Sequence, residues 1–123
     1  MKKILFIEDE PALQHAVIQV LTNEQYKTFS ATDGESGIEL ARKELPDIIL
    51  LDLIIPKKDG FAVIAELKDN KETAHIPIIV LTNLEGSADV ERALTLGATT
   101  YLIKTNYKLE EVAEKIKNIL NPT

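Results

Sequence analysis

The sequence predicts an α/β domain: a five-stranded parallel sheet, doubly wound, with five helices on its two faces. Two observations predict it. Five short apolar runs each lead into a stretch with helical spacing of its apolar residues. Four of the runs also lack the in/out alternation of a half-solvated strand, which suits strands covered on both sides. Alternating β and α units in one chain call for a parallel sheet with right-handed crossovers.

The elements follow in order. Residues 4–7 form the first run, and Pro11 then stands at the favoured start of a helix carrying Leu13, Ala16, Val17, Val20 and Leu21 on one stripe. The run at 28–31 is the weakest and suits a place near the sheet edge. Asp33-Gly34 makes a turn, and Ile38, Ala41 and Leu45 mark the second helix. Residues 48–51 are the third run. The third helix follows Asp59-Gly60, with Phe61, Ile64 and Leu67, and ends near Asn70. After the run at 78–81, Ser87 is the expected N-cap of a helix reaching Leu96, and Gly97 its left-handed stop. Residues 100–103 are the last run. The last helix carries Leu109, Val112, Ala113, Ile116 and Leu120, with charge on its other side.

With 123 residues and no internal linker or repeat, residues 1–123 read as one domain. There is no cysteine, so disulfides and thiolate metal sites are excluded. The net charge of −6 disfavours direct binding to nucleic acid or to an anionic membrane. No apolar run approaches the roughly 18 residues of a spanning helix. The basic and apolar start is cut short by Glu8-Asp9-Glu10, too soon for a signal peptide, so the expected location is cytoplasmic.

Asp52 poses the functional question. It sits among Leu50, Leu51, Leu53, Ile54 and Ile55, and a carboxylate is costly to bury unless it is paired or bound to a metal. In doubly wound sheets, sites form beyond the carboxyl ends of the strands. Glu8-Asp9-Glu10, Asp52, Thr82 and Lys104 all fall at such ends and should share one rim. Several acids in one crevice repel each other unless a cation joins them. Oxygen donors without histidine or cysteine favour a hard ion, and Mg²⁺ fits best. A lysine and a hydroxyl nearby complete the outline of a phosphoryl site, with Asp52 as the nucleophile that becomes an aspartyl phosphate. Taken singly, the same residues have plainer uses. The acids at 8–10 could favour the start of the first helix through its dipole. Lys104 could be a surface lysine, and Tyr101 a buried strand-end tyrosine. His15 reads as an exposed histidine, and His75, before the fourth run, has no evident acid–base partner.

Four segments carry a family resemblance: "ILFIEDE", "PDIILLDLIIPKKDGF", "IPIIVLTN" and "GATTYLIK". Over its whole length the chain resembles the CheY-like receiver domains of bacterial two-component response regulators. The resemblance implies a flavodoxin-like sheet of order 2-1-3-4-5. It implies Asp52 as phosphoacceptor, with Lys104 and Thr82 assisting, and Thr82 and Tyr101 as the switch pair. It implies Mg²⁺ held by Asp9, Asp52 and the backbone carbonyl of Ile54, with Glu8 acting through water. The partners it implies are a sensor histidine kinase or histidine phosphotransfer protein and a downstream effector. It also admits a phosphorylation-dependent dimer through the fourth helix, fifth strand and fifth helix. Such a module is not an enzyme on a separate substrate: it catalyses only its own phosphorylation and dephosphorylation.

Three positions depart from the family pattern. Thr105 stands where a cis proline is usual, and a trans bond is expected there because a cis bond without proline costs about 2.5–4 kcal/mol. Asn83 replaces a small residue. Ile54 and Leu84 are expected to narrow the pocket's mouth and slow hydrolysis of the acyl phosphate, an idea that an unchanged phosphoryl lifetime in Ile54→Asn with Leu84→Glu would sink. The rival reading is a degenerate receiver acting as a phosphorylation-independent interaction module. A phosphatase with an aspartyl nucleophile would want a second aspartate at 54, where this chain has isoleucine. A flavin-binding domain would want a glycine- or hydroxyl-rich loop after the first strand instead of three acids.

Overall fold

The computed structural model describes residues 1–82, 87–104 and 108–121; for Thr82 and Ser87 only the backbone is described. The elements are β1 (Lys3–Ile7), α1 (Pro11–Asn23), β2 (Lys27–Ala31), α2 (Gly34–Glu44), β3 (Ile48–Asp52), α3 (Gly60–Lys68), β4 (Ile78–Thr82), α4 (Ser87–Leu96), β5 (Thr100–Ile103) and α5 (Leu109–Leu120). All strand pairs are parallel, and the sheet order is β2-β1-β3-β4-β5. The expected α/β architecture and strand order are therefore present.

The core lies in two layers, because side chains alternate across a sheet that is covered on both sides. One layer joins Leu5, Ile7, Ile49, Leu51, Ile78 and Val80 to α2, α3 and Ala93 of α4. The other joins Ile4, Phe6, Ile48, Leu50, Ile79 and Leu81 to Val17, Leu21, Val112 and Ile116 of α1 and α5. β3 is buried along its whole length, as its unbroken apolar run requires.

Some local readings change. β2 is an edge strand, as its weak apolar run suggested, but β5 is the other edge and is only half covered, with Tyr101 39% exposed. An apolar run does not reveal that a strand lacks a neighbour. The second helix stops at Glu44, with Leu45 as a left-handed C-cap, and the third stops at Lys68, before Asn70. Ser87 is the first helical residue of α4 instead of its N-cap. Gly97, at φ 125°, supplies the expected left-handed stop. Asn83, Leu84 and Thr105 lie outside the described residues, and with them the expected trans bond at 104–105.

Candidate phosphoryl and metal site

Asp52 is the last residue of β3, opposite Leu81 of β4, and only 4% of it is exposed. β1 runs on its other side, with Ile7 opposite Leu51, so the next residue, Glu8, emerges at the same rim. Lys104 leaves β5, two strands away, and its side chain spans the end of β4. Its ammonium lies 2.8 Å from Asp52 Oδ2 and 2.7 Å from Glu8 Oε1. Asp9 completes the group: one carboxylate oxygen from each of Glu8, Asp9 and Asp52 lies within 4.8 Å of the others. Glu8, Asp9, Asp52 and Lys104, expected from the sequence to share one mouth, do so. Asp9 is exposed while Glu8 and Asp52 are buried.

The backbone sets this geometry. Asp52 Oδ1 accepts a bond from the Ile54 N–H at 3.2 Å, which fixes the carboxylate plane. Glu8 is tied down by its own N–H to the Ala31 carbonyl at 3.0 Å. The Glu10 N–H donates to Glu8 Oε2 at 3.2 Å. Glu10 makes no side-chain cap for α1, so the acids do not serve as its cap.

Gln14 was not singled out in the sequence. Its amide nitrogen donates to the carbonyls of Glu8 at 3.0 Å and Ala31 at 3.1 Å, tying α1 to the exits of β1 and β2. A glutamine on the polar side of a helix gives no hint of this role. Ile54 is 61% exposed at the mouth. The Thr82 backbone closes β4 opposite Ile103, while its side chain lies outside the described residues. Tyr101 points outward, and its carbonyl accepts from the Lys115 ammonium at 3.4 Å. His15 is exposed, as expected, and His75 is exposed as well.

Burial pushes the Glu8 carboxyl up to about 7, and the neighbouring Asp52 adds to the rise against the opposing pull of Lys104. Burial also works against the Lys104 ammonium. Its hydrogen bonds to Asp52 and Glu8 outweigh that, so its pKa lies above the ordinary value. Glu8 Oε1 is buried and, among the described residues, meets no donor besides the Lys104 ammonium at 2.7 Å. One ammonium is thus shared by two buried acids, with a third, Asp9, beside them. Oxygen-only donors and negative charge in excess of the one ammonium together suit a hard divalent cation.

A pH dependence follows for the metal-free chain. The folded Glu8 binds its proton more tightly than an unfolded one at 4.5, so the folded state loses stability as pH rises from about 4.5 to about 7. Thermal unfolding in EDTA should show Tm falling over that window from this source, and Glu8→Gln should remove that component. A Glu8→Gln profile parallel to the parent would refute it.

Among the described residues no helix is long and apolar enough to cross a membrane. A family model described as the response regulator receiver domain matches residues 4–117. The response regulator PleD of Caulobacter vibrioides is 40% identical over 102 residues, which cover 83% of this chain and 22% of PleD. Across the first curated relatives, the chain spans from about a fifth to about half of their length. Among solved structures, one is the receiver domain of the sensor histidine kinase PA1611 from Pseudomonas aeruginosa PAO1, with a magnesium ion coordinated in its active site cleft. It matches with a TM-score of 0.87 at 28% identity, covering 95% of each chain. The Mn²⁺-bound form of response regulator Rcp1 matches with a TM-score of 0.86 at 31% identity, covering 100% of this chain and 96% of that one.

Proposed function

The chain belongs to the family of response regulator receiver domains, and on that premise we propose that it is a phosphorylation-operated signalling module. Asp52 takes a phosphoryl group from a histidine kinase or histidine phosphotransfer protein. The surface of α4, β5 and α5 then changes its affinity for a downstream partner. The observation that carries this reading is the Lys104 ammonium held between Glu8 and Asp52 beside Asp9.

In the transfer, a carboxylate oxygen of Asp52 attacks phosphorus while the bond from phosphorus to the donor imidazole nitrogen breaks. The electron pair leaves with the imidazole. The Ile54 N–H and Lys104 hold the carboxylate in one plane before the donor arrives, which lowers the entropy cost of in-line attack. Lys104, already at Asp52 Oδ2, is placed to offset the charge that arrives with the phosphoryl oxygens. Asp9, Asp52 and the Ile54 carbonyl would hold Mg²⁺ directly, and Glu8 through water; when bound, the ion supplies positive charge for the same oxygens. The Thr82 hydroxyl donates to the phosphoryl group, and Tyr101, now outward, turns in behind it. This is a two-state change biased by one local charge. The module acts on its own carboxylate alone and turns over no separate substrate.

Beryllofluoride with Mg²⁺ mimics the phosphoryl group and tests the switch. Amide signals at Lys104, Tyr101 and along α4 should move together in NMR spectra. A spectrum that stays silent in that region while Mg²⁺ is bound would overturn the switch and favour a phosphorylation-independent interaction module.

A further inference from the structure

The connection from β3 to α3 carries Ile54, whose carbonyl the preceding reading makes a metal ligand. Two contacts hold its near side. The Ile54 N–H donates to Asp52 Oδ1, and the Ile55 side chain is buried in the core. Its far side is held by a different turn, the one between β2 and α2. The Gly34 N–H donates to the Pro56 carbonyl at 3.2 Å, and the Lys58 N–H shares that acceptor at 2.8 Å. Gly34 also lies hard against the connection: a Cβ there would stand 2.1 Å from the Lys58 carbonyl oxygen and 2.8 Å from the Lys58 Cβ. Backbone cannot yield to such a contact as the end of a side chain can.

The turn that presents Gly34 is itself fixed. Asp33 is nearly buried, and it accepts from the Ser36 N–H at 2.8 Å and the Ser36 hydroxyl at 3.0 Å. The Lys57 ammonium lies 4.0 Å from Asp33 Oδ2. Lys57 itself has φ 68°, a costly conformation for a residue with a side chain, so the segment has little slack to absorb a push. No ligand of the site comes from the β2–α2 turn, yet it sets the position of the segment that supplies one.

We propose that Gly34 is a positioning residue for the metal site, pinning Pro56 so that the Ile54 carbonyl stands in register with Asp9 and Asp52. This rests on the receiver reading above. Outer contacts of this kind typically change metal affinity by 10–100-fold when disturbed.

The test compares two variants of the full chain. Gly34→Ala pushes on the connection. Gly37→Ala, one turn further along α2, meets the Ile7 side chain nearest, at 2.5 Å, with no backbone as close, and serves as a control for damage to helix packing. With folding checked by circular dichroism, Mg²⁺ affinity is measured by calorimetry. Gly34→Ala should raise Kd about tenfold or more, while Gly37→Ala stays within about twofold. A folded Gly34→Ala that binds Mg²⁺ like the parent, or equal losses in both variants, overturns the proposal. A second readout uses the parent chain and does not depend on either variant folding. Hydrogen exchange of the Gly34 amide should slow as Mg²⁺ is added, with the midpoint of metal binding. An amide indifferent to saturating Mg²⁺ also overturns it. A parent chain that takes up no Mg²⁺ would instead remove the receiver reading of the site, and this inference with it.

Discussion

Asp52→Asn should reduce Mg²⁺-dependent labelling by acetyl phosphate by on the order of 100-fold or more, the scale of loss when a nucleophile is removed. An amide keeps the shape and an acceptor oxygen for Lys104 but lacks the nucleophilic oxyanion. Stability should move the other way. Asp52 and Glu8 share a single ammonium, with Asp9 close by, and the charge of Asp52 helps to push the Glu8 carboxyl up. Without that charge, Glu8 and Lys104 form a simple pair. The metal-free variant should therefore unfold at the same urea concentration as the parent or a higher one. Stabilisation by added Mg²⁺ should shrink at the same time. Parent-level labelling of Asp52→Asn would place the nucleophile elsewhere, and a strongly destabilised variant would show that Asp52 is chiefly structural.

Lys104→Met should cost the metal-free chain about 3–5 kcal/mol at pH 7.5, as expected when one partner of a buried ion pair is removed. Its ammonium is the cation that Glu8 and Asp52 share, and both carboxylates are at least nine-tenths buried. Methionine keeps most of the side-chain volume, so the loss is electrostatic. The sign of its pH dependence is fixed. With the ammonium gone, Glu8 should titrate even higher in the folded state. The deficit is then largest above that value and shrinks as pH falls and the carboxyl protonates. Adding Glu8→Gln should restore much of the loss. Urea unfolding of the single and double variants at pH 5 and pH 7.5 checks each part, and a deficit independent of pH would mean that packing dominates.

Much of the fold was legible because both faces of the sheet are covered. Apolar runs such as Ile48–Leu51 then stand out against helices with one apolar stripe. The site was legible because its side chains are chemically unusual for where they occur. An aspartate inside an apolar run, and acids and a lysine at other strand ends, have few structural uses in common. The parts that escaped are of two physical kinds. Gln14 and Gly34 act through hydrogen bonds to or from backbone atoms, and such bonds leave no pattern of residue type. The half exposure of β5 depends on which strand has no neighbour, a property of the assembled sheet that no local run contains.

Glu8 and Lys104 lie near opposite ends of the chain, and their contact closes only when the last strand has docked. Loop closure across such a distance comes late in assembly, because its entropy is lost before any contact repays it. That ion pair cannot help a partly made sheet. Its contribution should appear as slower escape from the native state, leaving the speed of reaching that state almost untouched. For a signalling protein, the competence to respond then doubles as a certificate that synthesis has run through to β5.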